Sequence, residues 1–462
     1  MYGLRFHAAV FAAKMTKKLL TLTGRKGTTL PGQIALRICP DLLAVYGRIL
    51  GQRTIFITGT NGKTTTSNLL VTFLKADGRN VISNSLGANL IQGIATTLIE
   101  GVDLAHDQDQ AVVLEVDEAT IGNVIGHLQP KAVVVTNFFR DQMDRYGELD
   151  TVVDMVGRAL QKAPNNTTVI LNADDPLVTS IAPKEKNVLY YGIDSSQFDS
   201  EAHSEVRDGK FCRKCGNHLD YTLYHYGQLG FYSCSSCDFT RPTPSVVAED
   251  VGLCREGISF QVGSATGFIN SPALYNVYNA LASITASTVF GVQDDVLVRG
   301  MSEMKTQLGR MERLTAANGR DLMLTLVKNP TGFNEVLKVV EHETRPVELV
   351  VILNDRYADG TDVSWIWDTN IERLHQLADL RRIYCAGTRA EDFAIRLRYA
   401  DLGEITEIIE GDIQCVEQSL RDLPDGHMLY ILSTYTSLYN IRDHLLNEGG
   451  TELATVNRAS VS

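Results

Sequence analysis

The sequence predicts an α/β protein: a central nucleotide-binding domain on a mostly parallel sheet, interrupted by a cysteine-rich insert and followed by a second, doubly wound α/β domain. Three observations predict it. Short apolar runs alternate with helix-patterned stretches from 54 to about 195, and again from about 314. A glycine-rich turn, Gly59-Thr60-Asn61-Gly62-Lys63-Thr64, joins the first run to a helix. Two Cys-x-x-Cys pairs, Cys212/Cys215 and Cys234/Cys237, stand eighteen residues apart. The expected division is a short helical segment over 1–50, the central domain over 51–313 with its insert at 205–243, the second domain over 314–450 and a flexible tail at 451–462.

At 462 residues the chain has room for two to three domains, and 44% apolar with 21% charged residues is ordinary for a globular protein. The net charge of −12 argues against a duplex nucleic-acid binder, which needs cations to neutralise phosphates. The start is locally basic: Arg5, Lys14, Lys17, Lys18, Arg25, Lys26 and Arg37 precede the first acid, Asp41. Residues 4–22 predict a helix with Leu4, Ala8, Phe11, Met15, Leu19 and Leu22 on one face. The favoured reading packs that face on the protein itself, and the alternative lays it on an anionic membrane surface, making the protein peripheral. No apolar stretch is long enough to span a bilayer or to act as a secretory signal. Reduced cysteines in a cytoplasmic setting follow as the expectation.

Residues 27–50 read as a turn and a helix leading into the strand at 54–58. The turn after that strand is an anion site by construction. Gly59 and Gly62 let backbone N–H groups of Thr60, Asn61, Thr64 and Thr65 approach phosphate oxygens, Lys63 reaches the β- and γ-phosphates, and the Thr64 hydroxyl can ligate Mg²⁺. ATP is therefore the expected ligand. Ile57 stands where the common pattern has its first glycine, so the loop is a compressed form. Further strands at 111–116, 131–136 and 167–171 alternate with helices at 64–76 and 151–163. Ligands of such sheets collect at the carboxyl ends of the strands. Glu115 at such an end is the candidate second magnesium anchor, whereas Asp117 and Glu118 read as an acidic helix start. The run Thr136 to Arg145 ends another strand on the same rim, and Asn172-Ala173-Asp174-Asp175-Pro176 is a further strand-end turn.

The four cysteines have zinc-ribbon spacing, and four thiolates close a zinc coordination sphere, so Zn²⁺ there is structural. Tyr221, Tyr224, Tyr226, Phe231 and Tyr232 lie between them, and supply either a small core or bases' stacking partners.

The compressed G-T-N-G-K-T loop resembles the Mur ligase and folylpolyglutamate synthase group, ATP-dependent enzymes that join an amine to a carboxylate. Tyr275-Asn276-Val277-Tyr278-Asn279-Ala280-Leu281-Ala282 and Gly309-Arg310-Met311-Glu312 resemble Mur ligase signatures. The resemblance implies Asn276 near the nucleotide base and Arg310 toward the phosphates. Lys328-Asn329-Pro330 stands where those enzymes carry His-Asn-Pro, with lysine for histidine. The roughly fifty residues ahead of the loop are too few for the domain that grips UDP-linked precursors in Mur ligases.

The run Ala358-Asp359-Gly360-Thr361-Asp362-Val363-Ser364-Trp365-Ile366-Trp367-Asp368, with the P-loop, the 136–145 segment and the cysteine insert, resembles the MurT family, the Mur ligase-like subunits of lipid II isoglutaminyl synthase. That resemblance covers nearly all the chain from about residue 15. It implies amidation of the D-glutamate α-carboxylate in the lipid II stem peptide through an acyl phosphate. It also implies a glutaminase partner, GatD, that supplies ammonia, and an aspartate, Asp362 or else Asp359, that completes the partner's Cys-His pair. Cys39, Cys254, Cys385 and Cys415 lack the elbow of a glutaminase nucleophile, in keeping with a separate partner. Two rivals are a folylpolyglutamate synthase-like ligase, which has no use for the ribbon, and a zinc-ribbon ATPase acting on nucleic acid, which the acidic composition disfavours.

Overall fold

The structure, a computed structural model, describes residues 3–452 apart from 25–26, 85–87, 104–109, 141–147, 200–207, 255–256, 303, 305–309 and 378. Three helices, Leu4–Leu22, Leu30–Ile38 and Leu42–Leu50, lead into the first sheet. Its strands in chain order are β1 (Thr54–Thr58), β2 (Val81–Ser83), β3 (Ala111–Glu115), β4 (Ala132–Val135), β5 (Thr168–Asn172) and β6 (Val188–Ile193). The hairpin β7 (Asp220–Tyr226) and β8 (Leu229–Ser233) stands apart, and β9 (Val246–Cys254), β10 (Gly257–Val262) and β11 (Ala265–Ile269) complete the sheet. The spatial order is β11-β10-β9-β6-β5-β4-β1-β3-β2. From β2 to β9 all pairs are parallel, and β9 to β11 extend the edge antiparallel. Strands β1, β3, β4 and β5 are buried throughout, which is why they read as near-continuous apolar runs. The antiparallel extension was not legible in that way, because β9 to β11 are only partly buried and carry no such run.

The first helix corrects one expectation. It spans the expected residues, but the face that packs inward is Phe6, Ala9, Val10 and Ala13, while Leu4, Phe11, Met15, Leu19 and Leu22 are exposed. Small Ala9 and Ala13 admit close approach to the neighbouring helices, and the Phe6 ring meets Tyr46 edge-on at 5.4 Å. The helix therefore has two apolar faces, and the larger side chains lie on the outer one.

The second sheet comprises β12 (Glu312–Thr315), β13 (Asp321–Leu326), β14 (Val347–Ile352), β15 (Ile383–Ala386), β16 (Thr406–Ile408), β17 (Met428–Ser433) and β18 (Thr451–Glu452). Their order is β16-β15-β14-β17-β13-β12-β18, parallel from β16 to β13 and antiparallel at β12 and the edge strand β18. Glu312 and Arg313 thus pair within this second sheet, and the expected tail starts with two residues in strand β18. The two domains are tied near the P-loop. The Asn329 amide donates to Asn61 Oδ1 at 3.2 Å, and the Arg140 guanidinium bridges Asp208 at 2.6 Å and Asp368 at 3.0 Å.

Candidate active site

The loop 59–62 leaves the carboxyl end of β1, between β3, which ends in Glu115, and β4, which runs into Thr136 and Asn137. Gly59 has φ +118° and Gly62 φ +84°, conformations that L side chains rarely adopt. A Cβ on Gly59 would lie 2.4 Å from Thr136 Oγ1, and one on Gly62 would lie 2.0 Å from Asn279 Oδ1. The loop is held from one side by the segment after β4: Thr60 N–H donates to Asn137 O at 2.9 Å, Asn61 N–H to Asn137 Oδ1 at 2.9 Å, and Thr136 Oγ1 to Asn61 O at 2.7 Å. The Thr60 hydroxyl exchanges hydrogen bonds with the Phe139 carbonyl and N–H at 3.2 and 3.1 Å. Thr65 is buried in the helix Lys63–Ala76 that follows.

Lys63 opens that helix and donates to the Gly59 and Thr60 carbonyls and to the Glu118 carboxylate at 2.9 Å. Burial alone would lower its ammonium, but Glu118, Glu115 and Asp117 together hold it above the ordinary lysine range. Thr64 donates from its hydroxyl to Glu115 Oε2 at 2.8 Å. Glu115 is fixed in turn by Asn84, which accepts from its N–H and donates to its carbonyl, each at 2.8 Å. A hydroxyl and a carboxylate in contact at the lip of a phosphate loop are the donor set a magnesium–nucleotide complex needs, so the residues fit Mg²⁺ and ATP.

Sequence reasoning placed Lys63, Thr64 and Glu115 at this rim, and the structure brings them together. It read Glu118 as part of a helix start, but the helix is Ile121–Leu128, and Glu118 instead faces the P-loop lysine. Asp117 serves the turn, accepting from Ala119 N–H at 3.0 Å. Asn276 is buried, donating to Ser271 Oγ at 2.9 Å and accepting from Asn279 at 3.3 Å, one turn further along the helix Tyr275–Val289. Asn279, the second asparagine of the same signature, is the residue that closes on Gly62. Arg310 lies near enough to Tyr275, at the start of the same helix, to pull its phenol down against the larger effect of burial, which leaves it raised to about 12. Tyr435, at the start of helix Tyr435–Asn447, has its phenol raised by burial, by Tyr439 and by Glu115. Asn329 caps the helix Pro330–Glu341 by accepting from Gly332 N–H at 2.8 Å while donating to Asn61. Asp141 to Arg145 of the rim segment lie outside the described residues.

The cysteine insert has the geometry its spacing predicts. The Cys212 and Cys237 sulfurs are 3.6 Å apart, those of Cys215 and Cys234 3.5 Å, and one ligand atom from each residue falls within 4.8 Å of the rest. Sulfurs around a tetrahedral zinc with bonds of ~2.3 Å stand about 3.8 Å apart, so the four thiols fit that ion. Tyr232 and Phe239 pack with Cys212 and Cys234 in the ribbon's own small core. The ribbon docks on the turn Asn172–Pro176. Asp174, fully buried, accepts from Arg241 at 2.7 Å, Tyr278 at 2.8 Å and Ile193 N–H at 2.9 Å. Asp175 caps the next turn and accepts from Phe138 N–H at 2.9 Å, and burial pushes its carboxyl up to about 7 against the pull of those donors. Gln228, at the hairpin tip, donates to Phe138 O at 2.6 Å, one residue from the backbone that holds Thr60.

In the Ala358–Asp368 run the two aspartates part company. Both carboxylate oxygens of Asp359 are occupied by Thr436, from its N–H and its hydroxyl, each at 2.7 Å. Asp362 is exposed and accepts only from Ser364 N–H at 2.8 Å among the described residues. Of the scattered cysteines, Cys39, Cys385 and Cys415 are buried. Cys254 is half-buried and shares a cavity with His225, whose ring nitrogens are engaged by Asp199 at 2.6 Å and the Ile193 carbonyl at 3.0 Å.

Comparison with known proteins adds to this geometry. Residues 57–232 match the family model of the Mur ligase middle domain, and residues 326–438 that of the MurT ligase C-terminal region. The lipid II isoglutaminyl synthase (glutamine-hydrolyzing) subunit MurT of Staphylococcus aureus is 33% identical over 449 residues, 97% of this chain and 100% of its own. Its counterpart in Streptococcus pneumoniae is 34% identical, covering 96% of this chain and 97% of its own. Among solved structures, a pseudomurein peptide ligase type C from Methanothermus fervidus has the same fold, with a TM-score of 0.64 over 87% of this chain and 80% of its own at 22% identity.

Proposed function

The chain belongs to the MurT family of Mur ligase-type subunits, and from that premise we propose that it amidates the D-glutamate α-carboxylate of the lipid II stem peptide at the expense of ATP. The observation that carries the reading is the contact of Thr64 with Glu115 beside Lys63, a phosphate loop and a metal-anchoring carboxylate assembled at one strand-end rim. Lys63 and Arg310 offset negative charge on the γ-phosphoryl group as a substrate carboxylate oxygen attacks it and ADP leaves. Mg²⁺, when held by Thr64 and Glu115, neutralises phosphate oxygens. Ammonia then attacks the carbonyl carbon of the acyl phosphate, phosphate departs, and the amide loses a proton to water. This chain's part is positioning and charge compensation, with no covalent nucleophile of its own.

Ammonia comes from a glutaminase partner, the GatD that the sequence resemblance implies, and the names of the relatives, subunits of a glutamine-hydrolyzing synthase, support such a partner. The buried cysteines and the engaged His225 support a separate source, and exposed Asp362 is free of the internal bonds that tie down Asp359. We therefore assign Asp362 to orient the partner's histidine. The chain works at the inner membrane face on a lipid-linked substrate, without nucleic acid. The test is incubation with ATP, Mg²⁺ and lipid II, once with ammonium and once with glutamine plus the partner. Asp362→Asn abolishes only the glutamine reaction, whereas Lys63→Ala abolishes both. Glutamine use by Asp362→Asn at the wild-type rate would remove the assignment, and absence of product with ammonium would remove the ligase reading.

A further inference from the structure

The outer face of the first helix is a second apolar surface, left uncovered among the described residues. Leu4 is 91% exposed, Phe11 68%, Leu19 60% and Leu22 77%, with Met15 between them. At 100° per residue these side chains fall within an arc of roughly 80°, and exposed Lys14 and Lys18 border it on one side and Arg5 on the other. Lys17 turns inward instead and pairs with Glu100 at 2.9 Å. No acidic residue precedes Asp41, in a chain of net charge −12.

We propose that this face docks on an anionic phospholipid bilayer, with the helix lying in the plane of the headgroups. Three features select that occupant. The apolar stripe is flanked by cations and by no acid of its own helix, which complements anionic headgroups, whereas the same stripe of a second copy would set these cations against like cations. The opposite face, Phe6, Ala9, Val10 and Ala13, anchors the helix to the core, so the stripe is presented rigidly. The helix is 19 residues long, yet among the described residues no helix is long and apolar enough to cross a membrane, so it can only lie on one. The lipid-linked substrate of the preceding reading gives the docking its purpose, and in that respect the inference rests on it. The strongly acidic remainder is repelled by the same bilayer, which fixes the orientation.

The experiment is co-sedimentation of the full chain with vesicles of phosphatidylglycerol and phosphatidylcholine, against vesicles of phosphatidylcholine alone. The chain pellets with the anionic vesicles, at least about tenfold more weakly with neutral ones, and less at high salt. Phe11→Asp with Leu19→Asp, and separately Lys14→Glu with Lys18→Glu, each lower the partition at least about tenfold. Both variants keep ammonium-dependent amidation of detergent-dispersed substrate, because none of these residues approaches the P-loop. Equal binding to neutral vesicles, no binding, unaltered binding by the variants, or a dimer in light scattering that Phe11→Asp with Leu19→Asp dissolves would each overturn the proposal. Vesicle binding by a chain that amidates nothing would overturn the ligase reading and leave the docking in place.

Discussion

Replacing Lys63 with alanine separates the lysine's structural role from its chemical one. Its side chain is 12% exposed, that of Glu118 8%, and their charges meet at 2.9 Å. Removing the ammonium strands the Glu118 carboxylate beside Asp117 and releases the Gly59 and Thr60 carbonyls. Breaking a buried pair in this way costs about 3–5 kcal/mol. Adding Glu118→Gln removes the stranded charge and returns stability to within about 2 kcal/mol of wild type, the lost carbonyl bonds accounting for the rest. Neither protein turns over ATP. The deficit depends on pH with a definite sign. Burial holds the Glu118 carboxyl above the ordinary glutamate range while Lys63 opposes it, so without the lysine it rises further. The folded state then keeps a proton that the unfolded chain has released, and Lys63→Ala loses stability as pH rises through the folded value of Glu118. Wild-type Lys63, held above its ordinary value, remains charged throughout that window, and its contribution disappears only in strong alkali. Urea unfolding followed by far-ultraviolet circular dichroism should show the deficit growing from about pH 5 to about pH 8. A deficit under about 1 kcal/mol, or one equal at both pH values, would refute the buried-pair argument.

Further outcomes are expected. Gly62→Ala places a methyl 2.0 Å from Asn279 Oδ1 at φ +84°, so it lowers stability by about 2–4 kcal/mol and abolishes Mg-ATP binding by calorimetry, and Asn279→Ala in the same chain recovers only the steric part. Atomic absorption finds one zinc per chain. Stripping it with a chelator exposes the ribbon to protease and weakens Mg-ATP binding, because Gln228 no longer steadies Phe138; unchanged nucleotide affinity would break that link. In the native zinc-loaded protein Cys254 is the thiol that reacts with a disulfide reagent, since Cys39 is buried and burial pushes Cys385 and Cys415 each up to about 12, where the thiolate is scarce.

Much of the site was legible because its chemistry is written in contiguous residues. Gly59 to Thr64 and the four cysteines carry their geometry in spacing alone, and the structure seats them as that spacing requires. Glu118 and Asn84 were not legible as site residues, and the motifs that carry Asn279 and Asn329 did not tell what either would touch. Each acts across 30 to 270 positions of chain, on Lys63, Glu115, Gly62 and Asn61, and carries no local pattern that announces a partner. Asp359 and Asp362 share one motif, and only the approach of Thr436 distinguishes a tied carboxylate from an exposed one.

The alternation of strands and helices, the phosphate loop and the clustering of the four cysteines could be read from the chain directly, since periodicity, glycine conformation and thiol spacing are local properties. Tertiary structure alone decided which face of the first helix is covered, which acid meets the lysine, and how the second domain reaches the loop. Those outcomes depend on packing between segments distant in the chain, where two apolar faces or two carboxylates are equivalent until a neighbour selects one.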